Sequence, residues 1–217
     1  MKHILTLMSA IALTVLSGNV YAQKNKSNDN DYNLRKAEEV LQEENDEAKA
    51  LDLLNKQIEQ TPDNIDALFM RIRLLCSKGE YGRAMTDINH ALKVNKPKKS
   101  EMPNAVFHWW KSTVYERLGD HGQYLSTLKT AYEVAKKEET EVLPNIAFEY
   151  GMALYLEKDI DGAEKVFRGM LERDESDQGA MLGLARNMIY RGEHRQAVEL
   201  LEKCIRLDTD YAVPTAS

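Results

Sequence analysis

The chain has 217 residues, with 29 Lys and Arg against 35 Asp and Glu, a net charge of −6 and two Cys. That balance excludes bulk attraction to nucleic acid or to an anionic membrane surface, both of which need a basic excess. Two cysteines exclude a disulfide-dense scaffold, and the length suits one domain or one repeat array.

Met1-Lys2-His3 is a short basic start, and Ile4 to Leu16 follows without a charge. Ser17 to Ala22 is a polar stretch ending in Val-x-Ala, the small-residue pattern that a signal peptidase reads. The apolar run is well short of the roughly twenty residues that span a bilayer. Residues 1–22 are therefore predicted to be a cleaved signal peptide, which makes the protein exported, periplasmic or secreted. No Cys sits just after Ala22, so no lipid anchor is expected, and no second apolar stretch of this kind follows, so no membrane span is expected. Residues 23–33, QKNKSNDNDYN, are too polar to bury themselves and are predicted to form a disordered leader. Within them, Asn25-Lys26-Ser27 has the form of a glycosylation acceptor.

From Leu34 onward the pattern is helical. Apolar residues recur at three and four, as in Leu51, Leu54, Ile58 and in Leu68, Ile72, Leu75. Pro62, Pro97, Pro103 and Pro214 fall between runs or at the end, and Pro144 opens a run, where a first-turn Pro is tolerated. The predicted class is all-α. Short turns of common form recur at Lys78-Gly79-Glu80, Leu118-Gly119-Asp120, Lys158-Asp159-Ile160 and Arg191-Gly192-Glu193. Ala84, Ala163 and Ala197 follow three of them at one offset, and the register places Ala50 in the first repeat.

This pattern resembles the tetratricopeptide repeat, a 34-residue helix–turn–helix. Five repeats align at residues 31–64, 65–98, 105–138, 144–177 and 178–211, within an array spanning 34–211, with 212–217 as a tail. The family's small eighth residue is matched by Ser112, Gly151 and Ala185 but replaced by Glu38 and Ile72. Its Ala at position twenty is matched by Ala50, Ala84, Ala163 and Ala197 but replaced by Tyr124. Leu54, Ile88, Leu128, Phe167 and Leu201, four places on, would fill the space beside the crossing. The resemblance implies a right-handed superhelical solenoid. The third repeat is bracketed by extra residues, 99–104 and 139–143, and a wider crossing with a local change of pitch is expected there.

No catalytic constellation emerges. The five His are scattered, with no HExxH, GxSxG or phosphate loop, so neither an enzyme nor a cofactor is expected. Asp174 to Gly179 begins like a calcium loop, but its twelfth position is Ala185 rather than Glu, so a loop and helix N-cap are expected there instead. The run Glu43 to Glu47 reads as a solvated turn. Cys76 and Cys204 fall about three repeats apart in apolar helical contexts and are expected to stay unbridged and buried.

The resemblance also implies a site. In this family the first helices line an inner face through positions two, five, six, nine, twelve and thirteen. Carried over, these give Phe69, Met70 and Arg73; Trp109, Trp110, Thr113 and Arg117; Phe148, Glu149, Met152 and Tyr155; and Leu182, Arg186 and Tyr190. Aromatic and Arg side chains are the usual anchors of protein interfaces, so the expected partner is an apolar peptide segment carrying a carboxylate. The clamp of Lys and Asn that some members use for chaperone tails has no counterpart, because those positions hold Phe69, Met70, Trp109 and Trp110. Function is thus read as a protein-binding scaffold, and the second reading is an envelope assembly subunit docking through its end. After Tyr211 only six residues remain, so Val198, Leu201 and Ile205 are expected to be partly uncovered, which also raises self-association.

Overall fold

The computed structural model describes residues 31–96 and 102–212. The expected signal peptide, the acceptor motif at Asn25, the leader up to Asn30 and the tail beyond Ala212 lie outside the described residues. Ten α-helices and no strand occupy these residues. They are α1 (Tyr32–Glu39), α2 (Glu47–Gln60), α3 (Ile65–Ser77), α4 (Tyr81–Val94), α5 (Asn104–Leu118), α6 (His121–Glu138), α7 (Leu143–Leu156), α8 (Ile160–Arg173), α9 (Gln178–Tyr190) and α10 (His194–Ala212). A π-helical turn, Val40–Glu44, extends α1.

The chain divides into two compact units, one running to Thr127 and one from Leu128. In the first, each helix from α1 to α4 packs on the next; in the second, α7 packs on α8 and α9, and α9 also packs on α8 and α10.

The backbone repeats more faithfully than the sequence. Asn45, Gly79, Gly119, Lys158 and Gly192 all have positive φ, between 54° and 79°. Each is the fifteenth residue of its repeat. The interval is 34 residues from Asn45 to Gly79 and again from Lys158 to Gly192, widening to 40 and 39 on either side of Gly119, where the extra residues lie. A left-handed residue stops the first helix and turns the chain into the second. Gly does this without strain, whereas Lys158 must hold its Cβ close to the following carbonyl. Many second helices and their successors then open on a carboxylate or amide cap. The side chains of Asp46, Asn64, Asp120, Asp159 and Asp177 accept from the amides of Lys49, Ala67, Gln123, Gly162 and Ala180 at 2.9–3.1 Å.

Small residues set the helix crossings. Ala50, Ala84, Ala163 and Ala197 are all buried, as are Leu54, Ile88, Leu128 and Phe167 beside them. Glycines line one crossing in the C-terminal unit. The Phe167 ring of α8 sits on Gly151 of α7 and Gly183 of α9. A Cβ at Gly151 would come within 2.7 Å of the ring, and one at Gly183 would come closer still.

Arginine side chains tie helices both within a hairpin and between neighbouring ones. In the N-terminal unit Arg71 of α3 forms a two-pronged pair with Asp87 of α4, both contacts 2.8 Å, and donates to Asn55 Oδ1 of α2 at 2.9 Å. In the C-terminal unit Arg191, just past α9, pairs with Asp161 and Glu164 of α8. Glu164 also accepts from Arg168 at 2.7 Å, and these cations hold its carboxyl below the usual range.

One boundary needs correcting. The leader was expected to run to Asn33, but α1 begins at Tyr32. The end of that segment is docked on α2 and its exit: Asn64 Nδ2 donates to Asp31 Oδ1 at 2.8 Å, Asn33 Nδ2 to Gln60 Oε1 at 3.3 Å, and the Leu34 amide to buried Gln57 Oε1 at 3.2 Å. Residues 42–47 are exposed, in keeping with a solvated acidic turn. Both thiols are free and half-buried rather than fully enclosed.

Two substitutions test these constraints by thermal denaturation. Gly183→Ala should cost about 1–3 kcal/mol by overpacking against Phe167, and Phe167→Leu in the same chain should recover part of the loss. Lys158→Gly should raise stability by up to about 1 kcal/mol, because it relieves the left-handed strain, and should leave the helical circular dichroism unchanged.

Candidate functional site

The first helices carry the residues that the sequence assigns to an inner face, and the two compact units treat them differently. In the N-terminal unit the aromatics are part of the core. Trp109 is 3% exposed, Trp110 4% and Phe69 7%. Phe69 of α3 meets Phe107 and Trp110 of α5 edge-on, with ring centroids 6.2 and 6.4 Å apart. The expectation that both indoles line an open surface is therefore corrected: they fill the interior. Adjacent indoles on a helix point in different directions, and each has found apolar cover. Thr113 is half-buried and its hydroxyl donates to the Trp109 carbonyl at 3.1 Å. Met70 is half-buried, and Arg117 is exposed at the end of α5.

Arg73 is half-buried over the Phe69 ring, 5.8 Å from its centroid, and burial lowers the pKa of its guanidinium. Burial also pushes the Cys76 thiol up to about 12. It raises the carboxyls of Glu116, against the pull of Arg117 and His121, and of Glu38, which Asp66 raises further.

In the C-terminal unit the same positions, Met152 apart, are half-buried or exposed. Phe148, Met152 and Tyr155 run along α7, and Leu182, Arg186, Ile189 and Tyr190 along α9, each row at helical spacing. The rows lie side by side. Phe148 sits against Gly179, Arg186 Nη1 lies 3.7 Å from the Met152 sulfur, and the Tyr155 and Tyr190 rings meet edge-on at 6.2 Å. Met152 is buried and forms the floor. Leu182 is 40% exposed, Leu156 45%, Ile189 48% and Tyr190 56%. Leu156 and Ile189 were not among the sequence candidates, although they occupy positions thirteen and twelve of their repeats. Their positions match the family pattern, but an aliphatic side chain there carries no signal that separates a binding residue from core.

The remaining candidates are settled by local geometry. Asp174 Oδ1 accepts from the amide and hydroxyl of Ser176, and Asp177 caps α9. This is the loop and N-cap that the sequence indicates in place of a calcium site. Among the described residues no group of three His, Cys, Asp or Glu is placed to hold a metal. No described helix is long and apolar enough to cross a membrane.

The profile of the tetratricopeptide repeat family matches residues 154–212. No curated protein matches the chain in sequence. Among solved structures, YrrB, described as a TPR protein with an unusual peptide-binding site, is 23% identical with a TM-score of 0.58, covering 83% of this chain and 87% of that one. MamA from Desulfovibrio magneticus RS-1 is 16% identical with a TM-score of 0.65, covering 89% of this chain and 100% of that one. PilF of Pseudomonas aeruginosa is 16% identical with a TM-score of 0.64, covering 82% and 75%. The fold is of the tetratricopeptide-repeat type. The profile match takes in the end of α7 and all of α8 to α10.

The raised carboxyl of Glu116 makes stability depend on pH. Its folded pKa lies above the ordinary value, so the folded state binds the proton more tightly. That contribution is full below the unfolded pKa and is lost as pH rises through the folded pKa. Glu116→Gln should therefore unfold at higher denaturant than the parent at pH 7, and the difference should shrink toward zero near pH 4.

Proposed function

We propose that the chain is a non-catalytic protein-interaction module that docks a peptide segment of a partner on the α7–α9 face. One observation carries this reading. Leu156, Leu182, Ile189 and Tyr190 are large apolar residues left 40–56% exposed on adjoining helices. A contiguous apolar patch around a buried floor is the usual mark of an interaction surface. Aromatic anchors of the kind that Tyr155 and Tyr190 supply carry much of the binding energy at such surfaces. YrrB, with the same fold, is described as having a peptide-binding site, which supports a similar use of the fold here. The leader sequence, with its Ile4–Leu16 apolar run and Val-x-Ala ending, favours an exported, periplasmic or secreted setting for the module.

A second reading, an assembly subunit that docks through its end, draws on α10, where Val198 is 54% and Ile205 63% exposed. The two readings separate cleanly. A random 12-residue peptide library displayed on phage and selected on the full chain supplies the probe. Tyr190→Asp should reduce retention of the selected pool at least tenfold, while Val198→Glu leaves it unchanged. Docking through the end reverses this. Val198→Glu would then abolish a concentration-dependent mass increase in light scattering, and no peptide pool would depend on Tyr190.

A further inference from the structure

We infer that the α7–α9 face selects segments in which an acidic side chain stands between apolar ones, with Arg186 receiving the carboxylate. The inference rests on the docking role proposed for this face and adds the chemistry of the partner. It starts from how the protein treats its arginines. On the hairpin side of the C-terminal unit, Arg191 is met by Asp161 and Glu164, and Arg168 by Glu164. The N-terminal unit does the same on that side, where Arg71 has Asp87 and Asn55. The arginines at position nine of the inner face are left without such a partner. Among the described residues no carboxylate pairs with Arg186, whose guanidinium reaches only the Met152 sulfur. Among the same residues Arg73 is placed over the Phe69 ring, with no carboxylate paired to it.

A guanidinium carries five N–H donors in a planar fork, and a thioether is a weak acceptor, so Arg186 is half-buried with most of its donors unspent. A carboxylate matches the fork with two parallel hydrogen bonds. The surroundings then define the rest of the ligand. Leu182 lies one turn before Arg186 on α9 and Ile189 and Tyr190 one turn after, while on α7 Phe148 lies against Gly179 and Tyr155 against Tyr190. A segment that brings an anion to Arg186 must lay apolar side chains on either side of it. The chain carries a net charge of −6, so a broad cationic field does not draw acidic partners in, and selection depends on this one local cation.

The test uses the full chain and the phage-selected peptides, synthesised with amidated C-termini and titrated by calorimetry. The expected consensus has Asp or Glu at a fixed place with aromatic or branched residues on both sides. Arg186→Gln should weaken such a peptide at least tenfold. Arg186→Lys, which keeps the charge but not the fork, should recover only part of that loss. The same peptide with Gln in place of its acidic residue should bind the parent and Arg186→Gln alike. A consensus without an acidic residue, or an acidic peptide bound equally by Arg186→Gln, overturns the inference. Binding that requires a free C-terminus also overturns it, because the carboxylate would then come from the chain end. If Tyr190→Asp abolishes binding while Arg186→Gln does not, the docking role stands and the acidic preference falls. If no peptide is enriched, both fall.

Discussion

The ring of Phe167 needs a floor without side chains, and much of the C-terminal unit follows from that. Gly151 below it and Gly183 beside it let α7 and α9 approach α8 until the ring touches both backbones. An aromatic wedged between two glycines fixes three helices at once. The inner rows of α7 and α9 are thereby held side by side, as the Arg186 and Tyr190 contacts with Met152 and Tyr155 register. Rigid spacing of this kind is what a docking face needs, because a ligand then pays no cost to order the wall it binds. The Ala residues at position twenty do the same in milder form at the other crossings.

The architecture was legible in the sequence because it depends on a few positions whose chemistry is restrictive. A small residue at a crossing, a Gly at the turn and an Asp or Asn before a helix are read locally and recur at a fixed interval. The position-fifteen turn was less legible where Asn45 and Lys158 replace Gly. There the tertiary packing of the flanking helices imposes a left-handed residue that the side chain alone would not choose. The start of α1 was hidden for a similar reason. Asp31, Tyr32 and Asn33 look like leader by composition, and only docking against Gln57, Gln60 and Asn64 makes them part of the fold.

The inner face was half legible. Position within the repeat picks out residues that share a helix row, but position says nothing about exposure. Trp109 and Phe148 both stand at position five, yet Trp109 is in the core and Phe148 is only half-covered. Which of the two fates a large apolar residue meets depends on what lies opposite, and a single sequence does not carry that information. The same limit hid Leu156 and Ile189. As aliphatic residues they look like ordinary core until their neighbours are seen to leave them open.

Cys76 carries a consequence of its own. A thiol whose pKa is pushed to about 12 exists as the nucleophilic thiolate in only about one molecule in 10⁵ at neutral pH. Disulfide exchange and oxidation to sulfenic acid both proceed through that anion. Burial therefore keeps this sulfur chemically quiet while the fold holds, and its sudden reactivity toward an alkylating reagent would report local opening of α3 before any loss of helix became visible.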